Sequence, residues 1–526
     1  MELLLVAIVL FLAIFAIKIS SKSGVPALLL FIVLGMAFSA AGFEFEDYQF
    51  ADNFATIALM VILFQGGFST NWSMAKPVAK EAIVLSFLGV VATALLTGVF
   101  CRYFLGFGWI EGMLIGSIVG STDYASVSNI LRSRNLNLRY NTAPLLELES
   151  GSNDPSAYTM TMVFLSILLG DNISIPLMIV KQLVFGIGLG FFMSHIMMKL
   201  IRKMSFDSDG LFIIFMVAAS LLTFSATAAI GGNGYLAVYI FGIVIGNKQF
   251  KGKRDSVFFF DGFSNLMQIG LFFILGLLSQ PSRFIATLPM AAAIMIFMTI
   301  IARPLSVFGL MLPFKLKTNQ LLVISMAGLR GAAAIAFAIM AVNAGAGRVT
   351  DIYHVVFGIC VLSSLVQGSL MAPFSTKTDM LDPNDTVLKT FNDYQDKSEL
   401  GFIQTPISSH SRWVGKQVKE LNLAFNVIVA KIDRDGKTIV PRGDTVIEEG
   451  DIIVLGGETH FDASGHDLVE FTISEGHEWA NRLVKDLDLQ TDELIIMLQR
   501  TDQGVIVPIG NTEVLPGDKL VTIKGS

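Results

Sequence analysis

The sequence predicts an all-α polytopic membrane bundle followed by small α+β domains. The 526 residues are 53% hydrophobic and 15% charged, whereas a soluble globular protein carries about 25% charged residues. Long apolar runs fill residues 1–375, and the rest of the chain has almost none of them. The composition therefore excludes a soluble protein for the first part and indicates two regions of different kinds.

The distribution of charge separates the same two regions. Residues 376–526 contain 15 Lys and Arg against 26 Asp and Glu, a net charge of −11. Residues 1–375 contain 22 basic against 17 acidic side chains, a net charge of +5. We predict a membrane domain over 1–375, a polar linker over 376–398 with a short helix near 386–396, and an acidic soluble region beyond it.

About thirteen apolar runs approach the roughly 20 residues that a membrane-crossing helix needs. They lie near 2–18, 25–42, 53–69, 80–104, 112–131, 143–170, 175–201, 211–230, 234–247, 257–279, 284–312, 319–343 and 351–372. Because thirteen is odd, the two termini are expected on opposite sides of the membrane.

The orientation follows from alternate loops that are rich in Lys and Arg, since basic loops stay cytoplasmic. These loops hold Lys18 and Lys22, Lys76 and Lys80, Arg132, Arg134 and Arg139, Lys199, Arg202 and Lys203, Lys248, Lys251, Lys253 and Arg254, and Lys315 and Lys317. The loops between them hold at most one basic residue each. We therefore expect the N-terminus outside and the C-terminal region in the cytoplasm.

The run 143–170 carries more polar groups than hydrocarbon tolerates. Glu147, Glu149, Asn153 and Asp154 all lie in its first half. A charge within a transmembrane helix costs at least about 2.5–3.5 kcal/mol, so such a residue is usually paired or functional. The alternative is that the first acids lie at the positive N-terminus of a helix; it fits Glu147 best and Asp154 least, because Asp154 is deeper.

Two further segments indicate broken helices. Ser121, Thr122 and Asp123 lie in the middle of the run 112–131, where their side chains compete with the helix for backbone hydrogen bonds. Arg330 is flanked by glycines that weaken its helix. Broken helices at the bilayer midplane are the arrangement that transporters use to bind ions.

Arg303 and Arg330 lie in neighbouring apolar runs and need anionic partners or opposing dipoles. Glu149 and Asp123 are among the few carboxylates expected at that depth. The alternative for Arg330 is a side chain that extends to the cytoplasmic interface.

Taken together, these motifs resemble the cation:proton antiporter superfamily, and specifically its electroneutral sodium or potassium/proton exchanger branch. The resemblance covers nearly all of 1–375 and rests on Thr122-Asp123, Glu149-Ser150-Gly151-Ser152-Asn153-Asp154-Pro155, Arg303 and Gly328-Leu329-Arg330-Gly331. It implies inverted repeats, two broken helices, and a homodimer in the bacterial plasma membrane whose core bundle rocks against a dimerisation bundle.

The resemblance also implies which residues bind the ion. Asp154 would hold either a proton or a monovalent cation, and Asn153 is the neutral neighbour typical of electroneutral members. Thr122 and Asp123 would lie at the first broken helix, with Ser150 also near the ion. Thr122, Ser150, Asp154 and free backbone carbonyls at the broken helices would supply the oxygen ligands that hard cations prefer.

Three other residues receive structural roles by the same resemblance. Glu149 and Arg303 would form a buried ion pair, and Arg330 would serve the second broken helix. Two residues depart from the family pattern. Tyr124 replaces a frequent proline after Thr-Asp, and Gln65 stands where some relatives have an acid.

The acidic region contains an internal duplication. Trp413, Val418, Leu421 and Leu423 recur 66 residues later as Trp479, Val484, Leu487 and Leu489. Each copy, over 399–458 and 467–526, resembles the C-terminal domain of regulators of potassium conductance, the TrkA-C-like module. Some modules of this type bind a cyclic dinucleotide, so the resemblance allows such a ligand; the alternative is a passive dimer-forming tail.

The sequence thus predicts a secondary antiporter that exchanges K⁺ or Na⁺ for H⁺ under control of its tail. The resemblance of the tail to regulators of potassium conductance favours K⁺ as the substrate. The alternative is a monovalent cation channel gated by the tail, although no selectivity-filter repeat is present. The chain carries no pattern typical of a catalytic triad, a His/Cys metal cluster or a phosphate-binding loop, and we expect neither an enzyme nor a nucleic-acid partner.

Overall fold

The computed structural model forms two compact units, Met1–Asp396 and Lys397–Ser526. The residues that it describes are 2–23, 27–43, 45–123, 126–127, 137–204, 209–248, 250, 253–346, 351–381, 400–407, 411, 413–421, 427–434, 437–439, 441–458, 468–475, 477–487, 489, 493–500, 504–506, 508 and 510–524. Most of the predicted linker, with its short helix, and Tyr124 lie outside them.

The described part of the first unit contains fourteen helical segments. They are α1 (Glu2–Ser23), α2 (Ala27–Ala40), α3 (Tyr48–Ser69), α4 (Trp72–Phe104), α5 (Trp109–Ile118), α6 (Thr142–Leu169), α7 (Ile175–Lys203), α8 (Asp209–Ala229), α9 (Gly234–Gly246), α10 (Lys253–Leu278), α11 (Pro281–Phe314), α12 (Thr318–Met326), α13 (Ala332–Asn343) and α14 (Ile352–Lys377). Each of the thirteen predicted runs corresponds to a helix, with α12 and α13 sharing the twelfth.

Seven of the described helices are long and apolar enough to cross a membrane: α3, α4, α7, α8, α10, α11 and α14. Others, such as α2, α9 and α13, are apolar but shorter. Helix α6 has 28 residues and carries Glu147, Glu149 and Asp154 in its first half. The predicted polytopic membrane bundle is therefore confirmed.

Both predicted breaks are present. Helix α5 ends at Ile118, and residues 121–123 have no regular structure before a helical turn at 126–127. Helix α12 ends at Met326, and the chain stays unwound until α13 begins at Ala332. The backbone N–H of Asp123 donates to the carbonyl of Leu329 at 2.8 Å, so the two unwound segments touch.

A turn of π-helix lies in each helix that precedes a broken one. It spans Leu85–Gly89 in α4 and Met298–Ala302 in α11. Pro304 lies two residues past the π turn in α11 and has no backbone N–H to donate to the carbonyl of Ile300, so the regular helical hydrogen bonding is interrupted there. The corresponding positions agree with the internal repeat that was predicted for this bundle.

The described part of the second unit contains two four-stranded sheets of equal topology. The first has the order β1 (Leu400–Pro406), β4 (Ile452–Glu458), β2 (Val427–Arg434) and β3 (Lys437–Ile439). The second has the order β5 (Leu468–Thr472), β10 (Lys519–Lys524), β7 (Glu493–Arg500) and β8 (Gly504–Ile506). A two-stranded sheet pairs β6 (Arg482–Leu483) with β9 (Glu513–Val514). The α+β duplication is therefore confirmed.

Candidate functional site

A polar cavity of about 340 Å³ lies between the two broken helices and helices α3, α6 and α10. Asp154 of α6 forms part of its wall, together with Thr122, Asp123 and Ser150. All four are residues that the sequence assigned to ion binding. The fold thus brings residues from two distant segments of the sequence to one cavity.

Asn153 binds the first unwound segment at two points. Its Oδ1 accepts a hydrogen bond from the backbone N–H of Thr122 at 3.3 Å, and its Nδ2 donates to the Thr122 hydroxyl. The Ser150 hydroxyl donates to the Thr122 carbonyl at 2.7 Å. Asn153 and Thr122 are both buried. Because these bonds replace the helical ones lost at the break, they hold the unwound backbone beside Asp154.

The hydroxyl of Ser121 donates to the Asp154 carboxylate. Asp123, two residues further on, accepts from the Ser126 hydroxyl at 2.6 Å and from its backbone N–H at 3.3 Å. A Cβ atom at Gly331 would overlap the Asp123 carboxylate. Glycine is therefore required where the second unwound segment passes Asp123.

Glu149 and Arg303 form a buried ion pair. The Arg303 Nη2 atom lies 2.7 Å and 2.8 Å from the two oxygens of Glu149, and the two side chains are 3% and 1% exposed. The pair joins α6 to α11 directly after the π turn. Asp154 is more than one helical turn from Glu149 and does not share this partner.

Arg330 is also buried, but it binds carbonyl groups. Its Nη1 donates to the carbonyls of Gly120 and Ser121 at 2.9 Å and 2.6 Å. Its backbone N–H donates to the Ser363 hydroxyl at 3.1 Å. The side chain is directed into the protein towards the first break, away from a membrane interface.

Sequence reasoning missed several residues of this cavity. Asp261, Ser264, Asn265 and Gln268 of α10 line it. Their spacing of i, i+3, i+4 and i+7 indicates one polar helix face and could have identified them. Gln65 also lines the cavity; its Nε2 donates to Ser69, and its buried Oε1 has no hydrogen-bond partner among the described residues.

A second polar network supports α6 one turn beyond Asp154. The carbonyl of Pro155 accepts hydrogen bonds from Asn233 Nδ2 at 2.8 Å and from the Thr159 hydroxyl at 3.0 Å. The Thr159 hydroxyl also lies 2.7 Å from Gln182 Oε1. All these side chains are buried. They tie α6 to α7 and to the start of α9.

A cluster of aromatic rings begins one helical turn beyond Asp154 on α6, at Tyr158. Tyr158 packs edge-on against Tyr235, with ring centroids 5.0 Å apart, and both contact Phe337. Phe224 packs on Tyr235 at 5.0 Å. The lining of the polar cavity therefore extends towards the ends of α3, α6 and α10 that carry Ser69, Glu147 and Asp261, whereas these rings pack one helical turn beyond Asp154.

The transmembrane profile of sodium/hydrogen exchangers matches residues 7–377 of this chain. The chain belongs to the sodium/hydrogen exchanger family. Two TrkA-C domains match residues 403–460 and 468–523 of the same chain. The predicted membership of this exchanger group, with tandem TrkA-C domains, is confirmed.

Individual relatives of the exchanger agree with this assignment. The K⁺/H⁺ antiporter NhaP2 of Shewanella sp. (strain ANA-3) is 32% identical over 457 residues, which cover 85% of this chain and 79% of the relative. The K⁺/H⁺ antiporter NhaP of Alkalimonas amylolytica is 30% identical over 464 residues, or 86% and 81% of the two chains. The solved structure of the sodium proton antiporter MjNhaP1 from Methanocaldococcus jannaschii has a TM-score of 0.63 at 23% identity, covering 70% of this chain and all of that one.

The two TrkA-C domains of this exchanger each contain an ion pair between a buried Asp and a partly exposed Arg, which sequence reasoning overlooked. Arg434, at the end of β2, binds both oxygens of Asp451 at 2.7 Å and 2.8 Å. Arg500, at the end of β7, binds both oxygens of Asp518 at 2.8 Å and 2.7 Å. The two Arg residues are 66 positions apart, so the existing duplication could have revealed them.

Proposed function

We propose that this exchanger is a K⁺/H⁺ antiporter that also accepts Na⁺. The observation that carries the proposal is the placement of Asp154 at a polar cavity beside two broken helices. The names of the relatives from Shewanella and Alkalimonas support K⁺ as the substrate. The solved structure that the fold resembles is a sodium proton antiporter, which keeps Na⁺ among the candidate substrates.

Exchange follows from competition for one carboxylate. Asp154 cannot hold a proton and coordinate a monovalent cation at the same time, so loading one ion releases the other. Coupled exchange requires that Asp154 is accessible from only one side of the membrane at a time. It also requires that the site changes sides slowly when Asp154 is ionised and no cation is bound. The cavity, which reaches Glu147 on one side of Asp154 while Tyr158 and Tyr235 pack together one helical turn beyond Asp154 on the other, fits such a cycle.

Oxygen atoms around Asp154 supply a ligand set of the type that hard cations prefer. The Ser150 hydroxyl donates its proton to the Thr122 carbonyl and the Ser121 hydroxyl donates its proton to Asp154, so the oxygen lone pairs of both remain able to face an ion. Gln65 also lines the cavity, and its buried Oε1, which has no hydrogen-bond partner among the described residues, is a further candidate oxygen ligand. We assign Thr122, Asn153 and Asp123 the task of holding the unwound backbone next to this site.

We further propose that the cavity opens to the cytoplasm. Its lining residues lie on the parts of α3, α6 and α10 that are nearest to the basic loops, and basic loops are cytoplasmic. By the same rule we propose that the N-terminus lies outside and the tail in the cytoplasm, and by the family resemblance that the membrane is a bacterial plasma membrane. By the family resemblance, the transporter acts as a homodimer whose core moves against its dimerisation helices.

The TrkA-C domains are proposed to regulate exchange and not to carry ions. Every polar residue of the cavity lies in the first unit, within residues 59–333. A cytoplasmic ligand of the tail, with a cyclic dinucleotide as the candidate, would then alter the rate or the cation affinity. A tail-gated channel is the second candidate function, favoured only by the presence of the same tail.

Purified protein in sealed vesicles separates these functions. With a K⁺ gradient imposed and the membrane potential clamped to zero, an antiporter moves protons and changes the internal pH. A channel gives an electrical current and no coupled proton movement. We expect proton movement with K⁺ and a weaker response with Na⁺. Proton movement that is absent with both cations would reject the proposal.

A further inference from the structure

A second cavity, separate from the ion site, lies between helices α4 and α6 on one side and α7 and α9 on the other. Its volume is about 750 Å³. Most of its wall is apolar, with Phe87, Leu183, Phe191 and Ile240 among the lining residues. Phe191 is 51% exposed on the outer surface of the bundle, so this groove opens towards the lipid.

The groove has a polar end and an apolar end. Trp72, Asn247 and Lys248 line the end at which α4 begins and α9 finishes. The backbone N–H of Trp72 donates to Asn247 Oδ1 at 2.8 Å, which fixes this end. Trp and Lys at the end of apolar helices are the residues that sit at the boundary between hydrocarbon and lipid head groups.

The length of the groove corresponds to one leaflet of a bilayer. Leu236 lines it near the start of α9, and Lys248 lines it just beyond the end of α9. At 1.5 Å per residue, these positions are about 18 Å apart. One leaflet of the hydrocarbon core is about 15 Å thick. An acyl chain can therefore lie along the groove with its head group at Lys248.

The charge at the polar end selects the head group. Lys248 is exposed and has no ion-pair partner in the described part of the chain, and the residues that line the groove include no Asp or Glu. Lys248 would attract the phosphate of an anionic lipid, whose head group has no positive charge of its own. It would attract a zwitterionic head group more weakly. We propose that this groove is a binding site for one anionic phospholipid, with its phosphate at Lys248 and an acyl chain between α6 and α9.

Such a lipid would contact the helix that carries Asp154. Ser152 and Pro155 of α6 line the groove, and Tyr239 of α9 lines both this groove and the ion cavity. The lipid would thus fill the space between the helix of the ion site and helices α7 and α9. The proposal concerns binding and does not depend on which ion is transported.

Native mass spectrometry of the delipidated, full-length protein tests this site. We would titrate phosphatidylglycerol and phosphatidylcholine with identical acyl chains and count bound lipids. We expect one phosphatidylglycerol to bind about fivefold more tightly than phosphatidylcholine, the preference that one lysine near an anionic group provides. Lys248→Gln should abolish the preference. Lys199→Gln, which removes an exposed lysine of α7 that does not line the groove, should leave it unchanged.

A second variant tests the location of the acyl chain. Ile240→Trp places a large ring in the groove and should weaken the binding of both lipids. If this variant fails to fold, the comparison of Lys248→Gln with Lys199→Gln still decides the head-group site. Equal binding of the two lipids to the wild-type protein would overturn the proposal, and so would a preference that survives Lys248→Gln. Failure of either lipid to bind the wild-type protein would also overturn it.

Discussion

The Nη1 atom of Arg330 lies 2.6 Å from the carbonyl oxygen of Ser121. Arg330 belongs to the second broken helix and Ser121 to the first, so this bond links the two breaks. The same atom binds the Gly120 carbonyl at 2.9 Å. One buried cation therefore satisfies two carbonyls that the broken α5 leaves without helical partners.

Replacing Arg330 should destabilise the membrane domain. In Arg330→Ala, two buried carbonyl groups lose their donor, at about 1–3 kcal/mol for each. Thermal unfolding in detergent can be followed with a thiol-reactive dye, because the described structure buries both cysteines, Cys101 and Cys360. Arg283→Ala, at a side chain that is 63% exposed, is the control and should unfold at the wild-type temperature. An unchanged midpoint for Arg330→Ala would contradict the geometry.

Asp154→Asn should abolish exchange and leave the protein folded. The amide has the same volume as the carboxylate, but it can neither carry the exchanged proton nor offer a charge to the cation. Exchange in vesicles and the unfolding midpoint would be measured on the same preparation. Asp171→Asn, at an exposed position just past α6, should retain full exchange. Near-normal exchange by Asp154→Asn would refute the assignment of the ion site.

Glu149→Gln and Arg303→Ala should each destabilise the protein by about 3–5 kcal/mol. The first change leaves the buried charge of Arg303 without a partner, and the second leaves the buried charge of Glu149 without one. The double variant should cost less than the sum of the two single changes. The exposed pair of Arg139 and Asp379, whose atoms are 2.8 Å apart, is the matched control and should give a coupling below about 1 kcal/mol. Additive effects at Glu149 and Arg303 would mean that they are not paired.

The TrkA-C domains should lose stability in acid. The hydrogen bonds from Arg434 hold the pKa of the Asp451 carboxyl below its ordinary value. Burial alone would raise the pKa of Asp518, but the bonds from Arg500 and from a backbone N–H outweigh it and lower that pKa too. A carboxyl group whose pKa is lower in the folded than in the unfolded state stabilises the fold at a pH above its ordinary pKa. This stabilisation is lost as the pH falls through the pKa of the folded state.

Fluorescence of Trp413 and Trp479, which belong to the two tail cores, would report this acid transition in the full-length protein. In Asp451→Asn the stability of the first domain should depend less on pH than in the wild type. Asp444→Asn removes an exposed carboxylate of the same domain and serves as the control. If both variants follow the wild-type curve, the ion pair contributes nothing to the acid sensitivity.

A chain that ends at Asp396, the boundary of the first unit, should retain exchange and lose regulation. It keeps the bond between Arg139 and the Met380 carbonyl and all residues of the ion cavity. Exchange would be compared over a range of cytoplasmic pH, with and without cyclic dinucleotides, for the full and the shortened chain. Superimposable curves would reject regulation by the tail under those conditions. A folded but inactive short chain would show that the tail takes part in the transport cycle.

Much of this protein can be predicted from its sequence because a bilayer restricts the choices. Apolar runs of the required length predict the helices, and the rare polar residues within them, such as Asp154, mark the breaks and the candidate site. The duplication of the tail is visible as a repeat at an offset of 66. These signals are local or periodic, so they need no knowledge of the packing.

Only the tertiary structure decided which distant groups meet. Glu149 and Asp123 were the carboxylates expected near the two arginines, and the family resemblance paired Glu149 with Arg303. The fold contains that pair, but Arg330 binds backbone carbonyls and not a carboxylate. The fold also placed Asp261 and Gln65 on the wall of the polar cavity beside Asp154. Backbone carbonyls that accept a hydrogen bond, such as those of Gly120 and Ser121, carry no mark in the sequence. Their roles depend on where helices cross, and the packing of side chains throughout the bundle determines those crossings.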